Sequence, residues 1–448
     1  MLSFVIVVIL VFGVNTLLWT TAGGLRVVAA WVARLRSTPE REDARREATP
    51  GRDRVAILIA AHNEEFVIGH TLEALEGVGD DIAVFLVSDG SSDATADIAR
   101  SHGATVLELN PNRGKAGAIV EAVRHFEIAD RFEVLLLLDA DTRLSKDYFD
   151  TGLGEFADPG IVAVAGRAST LFNPRSPTRI GRILVAYRER VYIAMQYLFK
   201  FGQASKHANV VPIVPGFASM YRTRILADID IAAPGLKIED YNMTFELHAK
   251  KLGRISFHPH VAIALTQDPD TFADYAKQVE RWNTGFWQTV VRHRFRFRLF
   301  WFVLTLFIAE LVMASVVLIS LVPSIVLSLY ASAVVALGWD PTGTAAEITT
   351  LLPPLALVLG VVLPDYLLTL MAAVVARRPV YLLYGLCFPI LRVIDAVLCA
   401  MALAVALTGR TSGTWTSPSR RAIRSEPGGA EVTVTEGSAP KETVAAVS

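Results

Sequence analysis

The apolar positions gather at the two ends of the chain. Residues 2 to 19, LSFVIVVILVFGVNTLLW, hold no charged side chain, and ~20 such residues suffice to cross a bilayer. A second block, residues 299 to 407, is again mostly apolar. Between them the pattern is that of a water-soluble domain. From Val55, short apolar runs suited to buried strands alternate with helical stretches: VAILIA then FVIGHTLEAL, AVFLVS then ATADIARSHG, ATVLEL then NRGKAGAIVEAVRHF, and finally EVLLLLDAD and IVAVAG. This alternation predicts an α/β domain with a mostly parallel sheet flanked by helices. The polar turns AHNEE, DGSSD and DADT all follow strands. Ligands of such sheets bind beyond the carboxyl ends of the strands, so the three acidic turns are expected to converge on one crevice.

Further along, Arg179 to Lys200 reads as a basic amphipathic helix, and EDYNMTFELHAKKLG as a helix closing at Gly253. Residues 271–298 are amphipathic, aromatic and basic and lead straight into apolar sequence, as expected of a helix at a membrane interface. The chain divides into a transmembrane and juxtamembrane helix (1–34), a charged cytoplasmic linker (35–54), the α/β domain (55–270), the interfacial helix (271–298), transmembrane helices (299–407) and a basic, then disordered tail (408–448). Residues 299–338 are too long for one ordinary span. They predict either a hairpin around Pro323 or one span plus a surface helix. Pro389, Arg392 and Asp395 predict a re-entrant or broken helix in 380–407.

Composition sharpens this picture. Of 448 residues, 52% are hydrophobic and 19% charged, with a mean hydropathy of +0.41, which excludes a disordered chain. Lys and Arg number 43 against 44 Asp and Glu, for a net charge of -1, so nothing points to a nucleic-acid partner. The two cysteines, Cys387 and Cys399, lie in apolar sequence and support neither a disulfide framework nor a thiolate zinc site. Arg26, Arg34, Arg36, Arg41, Arg45 and Arg46 all follow the first apolar run. The positive-inside rule then places the N-terminus outside and the α/β domain in the cytoplasm, in a multi-pass integral protein of a bacterial-type plasma membrane.

The chemistry lies at the strand ends. Asp139 and Asp141, one residue apart after VLLLL, are suited to share Mg²⁺ or Mn²⁺ with the phosphates of a nucleotide. Asp89 and the pair Asn63 and Glu64 can accept hydrogen bonds from a nucleoside, or can serve as turn and helix caps. Lys115 opens a helix and can meet a phosphate there, although the sequence lacks a Walker A loop. His258 and His260 read as structural or loop histidines, and the arginines and aromatics of 292–298 as headgroup contacts. Glu310, Asp365, Arg392 and Asp395 lie in apolar stretches. They either line a polymer or lipid passage, or pair between helices or sit at the interface.

AAHNEE, VSDGSSD, NRGKAGA, LLLLDADT, PGFASMYR, KIED and QVERW occur in this order. The ordered set resembles the membrane-embedded family 2 glycosyltransferases, the group of cellulose, hyaluronan and poly-β-1,6-N-acetylglucosamine synthases, with ceramide glucosyltransferase as a non-processive relative. The resemblance implies a GT-A-like domain inserted between transmembrane helices. It assigns Asn63, Glu64, Asp89 and Lys115 to the nucleotide donor, and Asp139 and Asp141 to the metal and diphosphate. It makes Asp240 the general base, Gln278 and Arg281 the grip on the diphosphate, and Trp282 the floor of the acceptor site. Two positions depart from the family pattern: Ile238 replaces the usual Thr before Glu239-Asp240, and Val120 stands where many synthases have Asn. The implied activity is inverting transfer from a UDP-sugar, with a divalent cation, to a saccharide or lipid acceptor. Processive β-linked polysaccharide synthesis is the first expectation, with a homo-oligomer or export partner completing the passage. Transfer of one sugar to a membrane lipid is the alternative. A silent scaffold or a transporter is the non-enzyme reading, and the retained Asp89, Asp139, Asp141 and Asp240 speak against it.

Overall fold

The structure is a computed structural model that describes residues 13–408 except 36, 37 and 80. Residues 2–12 of the first apolar run and nearly all of the expected tail therefore lie outside the described residues. At the centre is a seven-stranded sheet. Its strands are β1 (Val55–Ala61), β2 (Ala83–Asp89), β3 (Thr105–Leu109), β4 (Val134–Asp139), β6 (Ile161–Val164), β8 (Ala218–Arg222) and β9 (Arg254–Ser256), in the order β3-β2-β1-β4-β8-β6-β9. Pairing is parallel except where β8 runs antiparallel to β4 and β6. A second sheet joins β5 (Arg143–Leu144), β10 (Ile263–Thr266) and β7 (Arg167–Thr170).

The unbroken apolar run of β1 follows from its position. Ala56, Leu58 and Ala60 enter one core, while Val55, Ile57, Ile59 and Ala61 enter the core on the other face. A strand covered on both faces needs apolar residues at every position. The strand order turns back between β1 and β4, which opens a crevice at their carboxyl ends. Asp139 closes β4 there, in register with Ala60.

Eight helices matter for the site: α1 (Val14–Leu35), α2 (Gly114–His125), α3 (Arg179–Ala194), α4 (Glu239–Lys250), α5 (Phe272–Arg292), α6 (Leu299–Ala336), α7 (Pro354–Val375) and α8 (Phe388–Thr408). The helix α4 ends with Lys251 in the left-handed conformation, two residues before the glycine expected to close it. Among the described residues, four stretches are long and apolar enough to cross a membrane: Val14–Ala33, Leu299–Ala336, Thr344–Val375 and Val380–Thr408.

Two expectations for the apolar block change. Residues 299–336 form neither a hairpin nor a span with a separate surface helix; α6 is one helix of 38 residues containing Pro323. The excess length has a cause in packing, because Phe300, Trp301, Val303 and Leu304 dock into a core with Phe245 and Trp287 before the helix leaves the domain. Near Pro323, the Ser324 hydroxyl bonds the Ser320 carbonyl at 2.8 Å and the Ser320 hydroxyl bonds the Val317 carbonyl at 3.0 Å. Such side-chain bonds help a helix tolerate proline in an apolar medium. Pro389 falls in the first turn of α8, where its missing N–H costs no helical bond. Ahead of α8 the chain makes only a short helix, Val380–Tyr384, and one tighter turn, Gly385–Cys387.

The charges in apolar sequence are partnered. Glu310 accepts hydrogen bonds from the Val14 and Asn15 backbone amides, at 2.7 and 3.1 Å, and so caps α1 from a distant helix. Asp365 meets Arg190 of α3 at 2.8 Å and Arg392 at 3.3 Å. Asp395 accepts from the hydroxyls of Tyr187 (2.8 Å) and Tyr275 (2.5 Å). Midway along, α1 is tied to the domain by Arg26, which donates to the carbonyls of Phe201 and Phe257 at 2.7 and 2.9 Å. The close approach of α1 at Trp19 requires Gly202, where a Cβ would overlap the Trp19 carbonyl.

Candidate functional site

A cavity of about 830 Å³ opens at the carboxyl ends of the central strands and runs toward α6 and α8. Lys115, Asp139, Asp141, Asp240, Gln278, Arg281 and Trp282 all line it, although they come from four separate stretches of chain. Asn63, Glu64 and Asp89 are outside that lining. They form the layer beside it, where they zip two turns together. Asn63 adopts a left-handed conformation with φ 55°, which Asn tolerates better than most residues. Its side-chain oxygen accepts from the Ser92 amide at 2.9 Å, and the Glu64 amide donates to Thr95 Oγ1 at 2.8 Å.

Asp89 is fully buried at the end of β2. Its Oδ1 accepts from the Arg113 amide at 2.7 Å, and its backbone carbonyl accepts from Asn112 Nδ2 at 2.9 Å. These bonds hold the loop that launches α2 and so aim Lys115. Asp89 Oδ2 is buried without a hydrogen-bond partner among the described residues, an acceptor left open for a donor from outside the chain.

Lys115 reaches from the first turn of α2 to Asp139 Oδ1 at 2.7 Å and Glu239 Oε1 at 3.0 Å. Burial works to lower its pKa, but the two carboxylates win and hold it above the usual lysine value. Glu239 was visible in KIED but carried no assignment of its own; its tie to Lys115 joins the donor side of the cavity to α4. Asp141 is also buried, close behind Asp139. Two carboxylates on one strand end give an all-oxygen donor set, the kind through which Mg²⁺ or Mn²⁺ is held together with substrate phosphates. These residues fit such a cation. No group of three or more His, Cys, Asp or Glu side chains suited to a metal occurs among the described residues, so a bound nucleotide would have to complete the shell.

Asp240 occupies the first turn of α4. Its Oδ1 accepts from its neighbour's amide, Tyr241 N–H, at 2.7 Å, and its Oδ2 from the Gly216 amide at 3.2 Å. Burial, reinforced by the charge of Glu239, pushes its carboxyl up to about 7. Ile238, just before it, packs on Gly285 of α5, where a Cβ would press against the Ile238 side chain. The departure from Thr is thus accommodated by a glycine on the facing helix.

Gln278, Arg281 and Trp282 project from α5. Among the described residues Gln278 Oε1 is buried with no hydrogen-bond partner, and Arg281 lines the cavity beside it. The Arg188 guanidinium lies 4.1 Å from the centre of the Trp282 ring. Arg188 is itself held by the Tyr192 hydroxyl at 3.0 Å and by Asp268 at 3.6 Å. Tyr192 and Thr170 donate to Asp268 at 2.8 and 2.7 Å. QVERW itself does not signal this support, since Arg188 lies some ninety residues before it and Asp268 is joined to Arg188 only through the fold. Lys200 is a further residue that the sequence did not single out. It ends a π-helical turn, Met195–Lys200, lines the cavity and lies 4.9 Å from the Phe257 ring centre. Burial pushes its ammonium down to about 7 against the pull of Asp240.

His258 and His260 lie against aromatic rings, His258 on Phe201 and His260 on Tyr197.

Comparison with known proteins agrees with this geometry. The profile described as "Glycosyltransferase like family 2" matches residues 50–285, more than half of the chain. Poly-beta-1,6-N-acetyl-D-glucosamine synthase of Staphylococcus epidermidis is 26% identical over 250 residues, covering 53% of this chain and 57% of that protein. The protein of the same name from Staphylococcus aureus is 26% identical over 247 residues, covering 54% and 56%. The chain thus spans about half the length of the curated relatives it matches. Among solved structures, a mannosyltransferase from Pyrobaculum calidifontis in complex with GDP-Man and Mn²⁺ covers 88% of this chain and 100% of its own, at 16% identity and a TM-score of 0.48. That likeness is too loose to bear on function. The profile match, set beside a mostly parallel sheet with acidic turns at its carboxyl edge, establishes that the chain belongs to glycosyltransferase-like family 2 and has a GT-A fold.

Proposed function

We propose that the protein is an inverting glycosyltransferase that moves a sugar from a nucleotide donor, of the UDP class by family resemblance, to an acceptor hydroxyl at the cytoplasmic membrane face. The observation that carries this reading is the placement of Asp240 in one cavity with Asp139, Asp141, Lys115 and Arg281. A proton acceptor and a diphosphate site are thereby brought together.

In this reading Asp240, ionised, takes the proton of the acceptor hydroxyl as its oxygen bonds to the anomeric carbon. The bond from that carbon to the diphosphate oxygen breaks, and its electron pair leaves with the nucleoside diphosphate. Arg281 stabilises the charge developing on the departing group, and Gln278 fixes its position. Trp282, stiffened from behind by Arg188, offers a flat face to the acceptor. A divalent cation on Asp139 and Asp141, when bound, supplies positive charge to the donor diphosphate. Asp89, with its open Oδ2, is suited to accept from a base N–H of the nucleotide, while Asn63 and Glu64 support that turn.

The names of the curated relatives favour a β-linked polysaccharide as product. A lipid product has its own support in the apolar walls of the cavity at α6. Incorporation of labelled sugar by membranes containing the protein tests the reading. UDP-GlcNAc, UDP-glucose and UDP-GlcA would be supplied in turn with Mg²⁺ or Mn²⁺, and the product separated by size and solvent partition. Transfer from at least one donor, lost on chelation of the cation, is expected. Absence of both transfer and donor hydrolysis, beside an active control synthase, would overturn it.

A further inference from the structure

The cavity continues past Trp282, and there its walls pass to α6 and α8. On α6, Phe307, Leu311, Ala314, Ser315 and Leu318 line it, at spacings that keep them on one helix face. From Phe307 to Leu318 that face runs ~16 Å, about half of the ~30 Å hydrocarbon core of a bilayer. Opposite, α8 contributes Arg392 and Asp395 at its domain end and then Ala396 and Cys399.

Arg392 is paired with Asp365 at 3.3 Å, and beyond it little in these walls meets a sugar hydroxyl. The Ser315 hydroxyl donates to the Leu311 carbonyl of its own helix at 2.8 Å. Both oxygens of Asp395, at the polar end of the same helix face, are taken by tyrosine hydroxyls. A glycan passed along this wall would leave hydroxyls buried without partners, which is unfavourable. A hydrocarbon chain would lose nothing. Ala314 belongs to the lining and is also exposed, so this wall of the cavity reaches the surface of the apolar block.

We propose that the membrane end of the cavity is a hydrocarbon slot, and that the acceptor is a membrane lipid. Its chain lies along α6 from Phe307 to Leu318 while a head-group hydroxyl reaches Asp240. This rests on the reading of Asp240 as base, and the bonds made and broken are those given above. The slot selects a single lipid-borne acceptor over a threaded polymer.

The test uses the full chain in membranes, with UDP-GlcNAc, UDP-glucose and UDP-GlcA as labelled donors. Label is expected in the organic phase. In Ala314→Phe the ring fills the slot, and lipid label per unit of donor hydrolysis is expected to fall about tenfold or more. Ala314→Leu, a smaller intrusion on an exposed position, is expected to give a partial fall and guards against a folding defect in the first variant. High-mass, water-soluble label that neither variant changes would overturn the slot and leave sugar transfer at Asp240 standing. Donor hydrolysis with no labelled lipid would also overturn it. If the parent neither transfers nor hydrolyses, the reading of Asp240 fails first and the slot with it.

Discussion

The decisive residue is Asp240, because its environment and its task are matched. Buried beside Glu239, its carboxyl is pushed up to about 7, and a base works best when its pKa lies near the working pH. The sign is direct. Below about 7 the group is protonated and cannot accept the hydroxyl proton; above that value it is ionised and can. Turnover is therefore expected to fall about tenfold per pH unit on the acid side and to level off above, read as the pH profile of kcat at saturating donor. Asp240→Asn should lower kcat by about 10²- to 10⁴-fold with little change in donor KM. A flat acid limb, or an active Asn variant, would remove Asp240 from that role. Lys115 makes the companion case. Replacing it by Met leaves Asp139 and Glu239 facing each other without the cation between them. A loss of about 3 kcal/mol is expected, seen as a lower Tm that added Mn²⁺ partly restores. The carboxylates could be read from the sequence because each ends an apolar run or opens a helix. Lys200, Arg188 and the open oxygen of Asp89 could not, since their roles depend on burial by segments far away in the chain.

At the scale of the element, α3 shows where pattern reading reaches its limit. RIGRILVAYRERVYIA has the basic, amphipathic character of a surface helix, yet Arg188, Glu189 and Arg190 are all buried. They are covered by partners that lie far along the chain: Asp268, Tyr381 and Asp365. Hydrophobic periodicity reports which face is apolar, but a charged face is read as wet unless its counter-charges are known. Strands β1, β2 and β4 were legible because burial on both faces writes itself as an unbroken apolar run. The antiparallel β8 was not, because PGFASMYR carries no signal of direction. The α3–α7 contact makes a quantitative prediction. Asp365→Ala strands the Arg190 guanidinium in the interior, and a loss of about 3–5 kcal/mol is expected, measured by thermal unfolding in detergent. Arg392, the other partner of Asp365, is one-third exposed (33%) and can turn to water. Adding Arg190→Met removes the stranded charge and is expected to recover most of the loss, since an apolar pair of similar volume often matches a buried ion pair. A double variant no better than Asp365→Ala would show that the pair is not the source of the loss.

For the whole molecule, orientation decides whether the chemistry can be supplied with donor. Residues 14–35 are anchored at their start by Glu310 on α6 and midway by Arg26 to the Phe201 carbonyl of the domain, so the first helix and the apolar block form one body with the cavity. From α6 the chain passes through the turn at 337–343 into the helix Thr344–Leu351 and then α7, and the Ser328 hydroxyl of α6 bonds the Leu352 carbonyl across that turn. The two helices are therefore a hairpin, with the 337–343 turn at one end and Arg292 to Arg298 with Arg377 and Arg378 at the other. Basic residues are retained on the cytoplasmic side, so the expected arrangement has the turn outside and the α/β domain inside. Single cysteines in a background lacking Cys387 and Cys399 read this directly. Thr342→Cys, exposed in the turn, should react with a membrane-impermeant maleimide in intact cells. Lys146→Cys, exposed on the domain, should react only after the membrane is opened. Label at Lys146→Cys in intact cells would put Asp139, Asp141 and Asp240 on the outer face. The cavity would then be cut off from cytoplasmic nucleotide sugars, and the proposed transfer would have no donor.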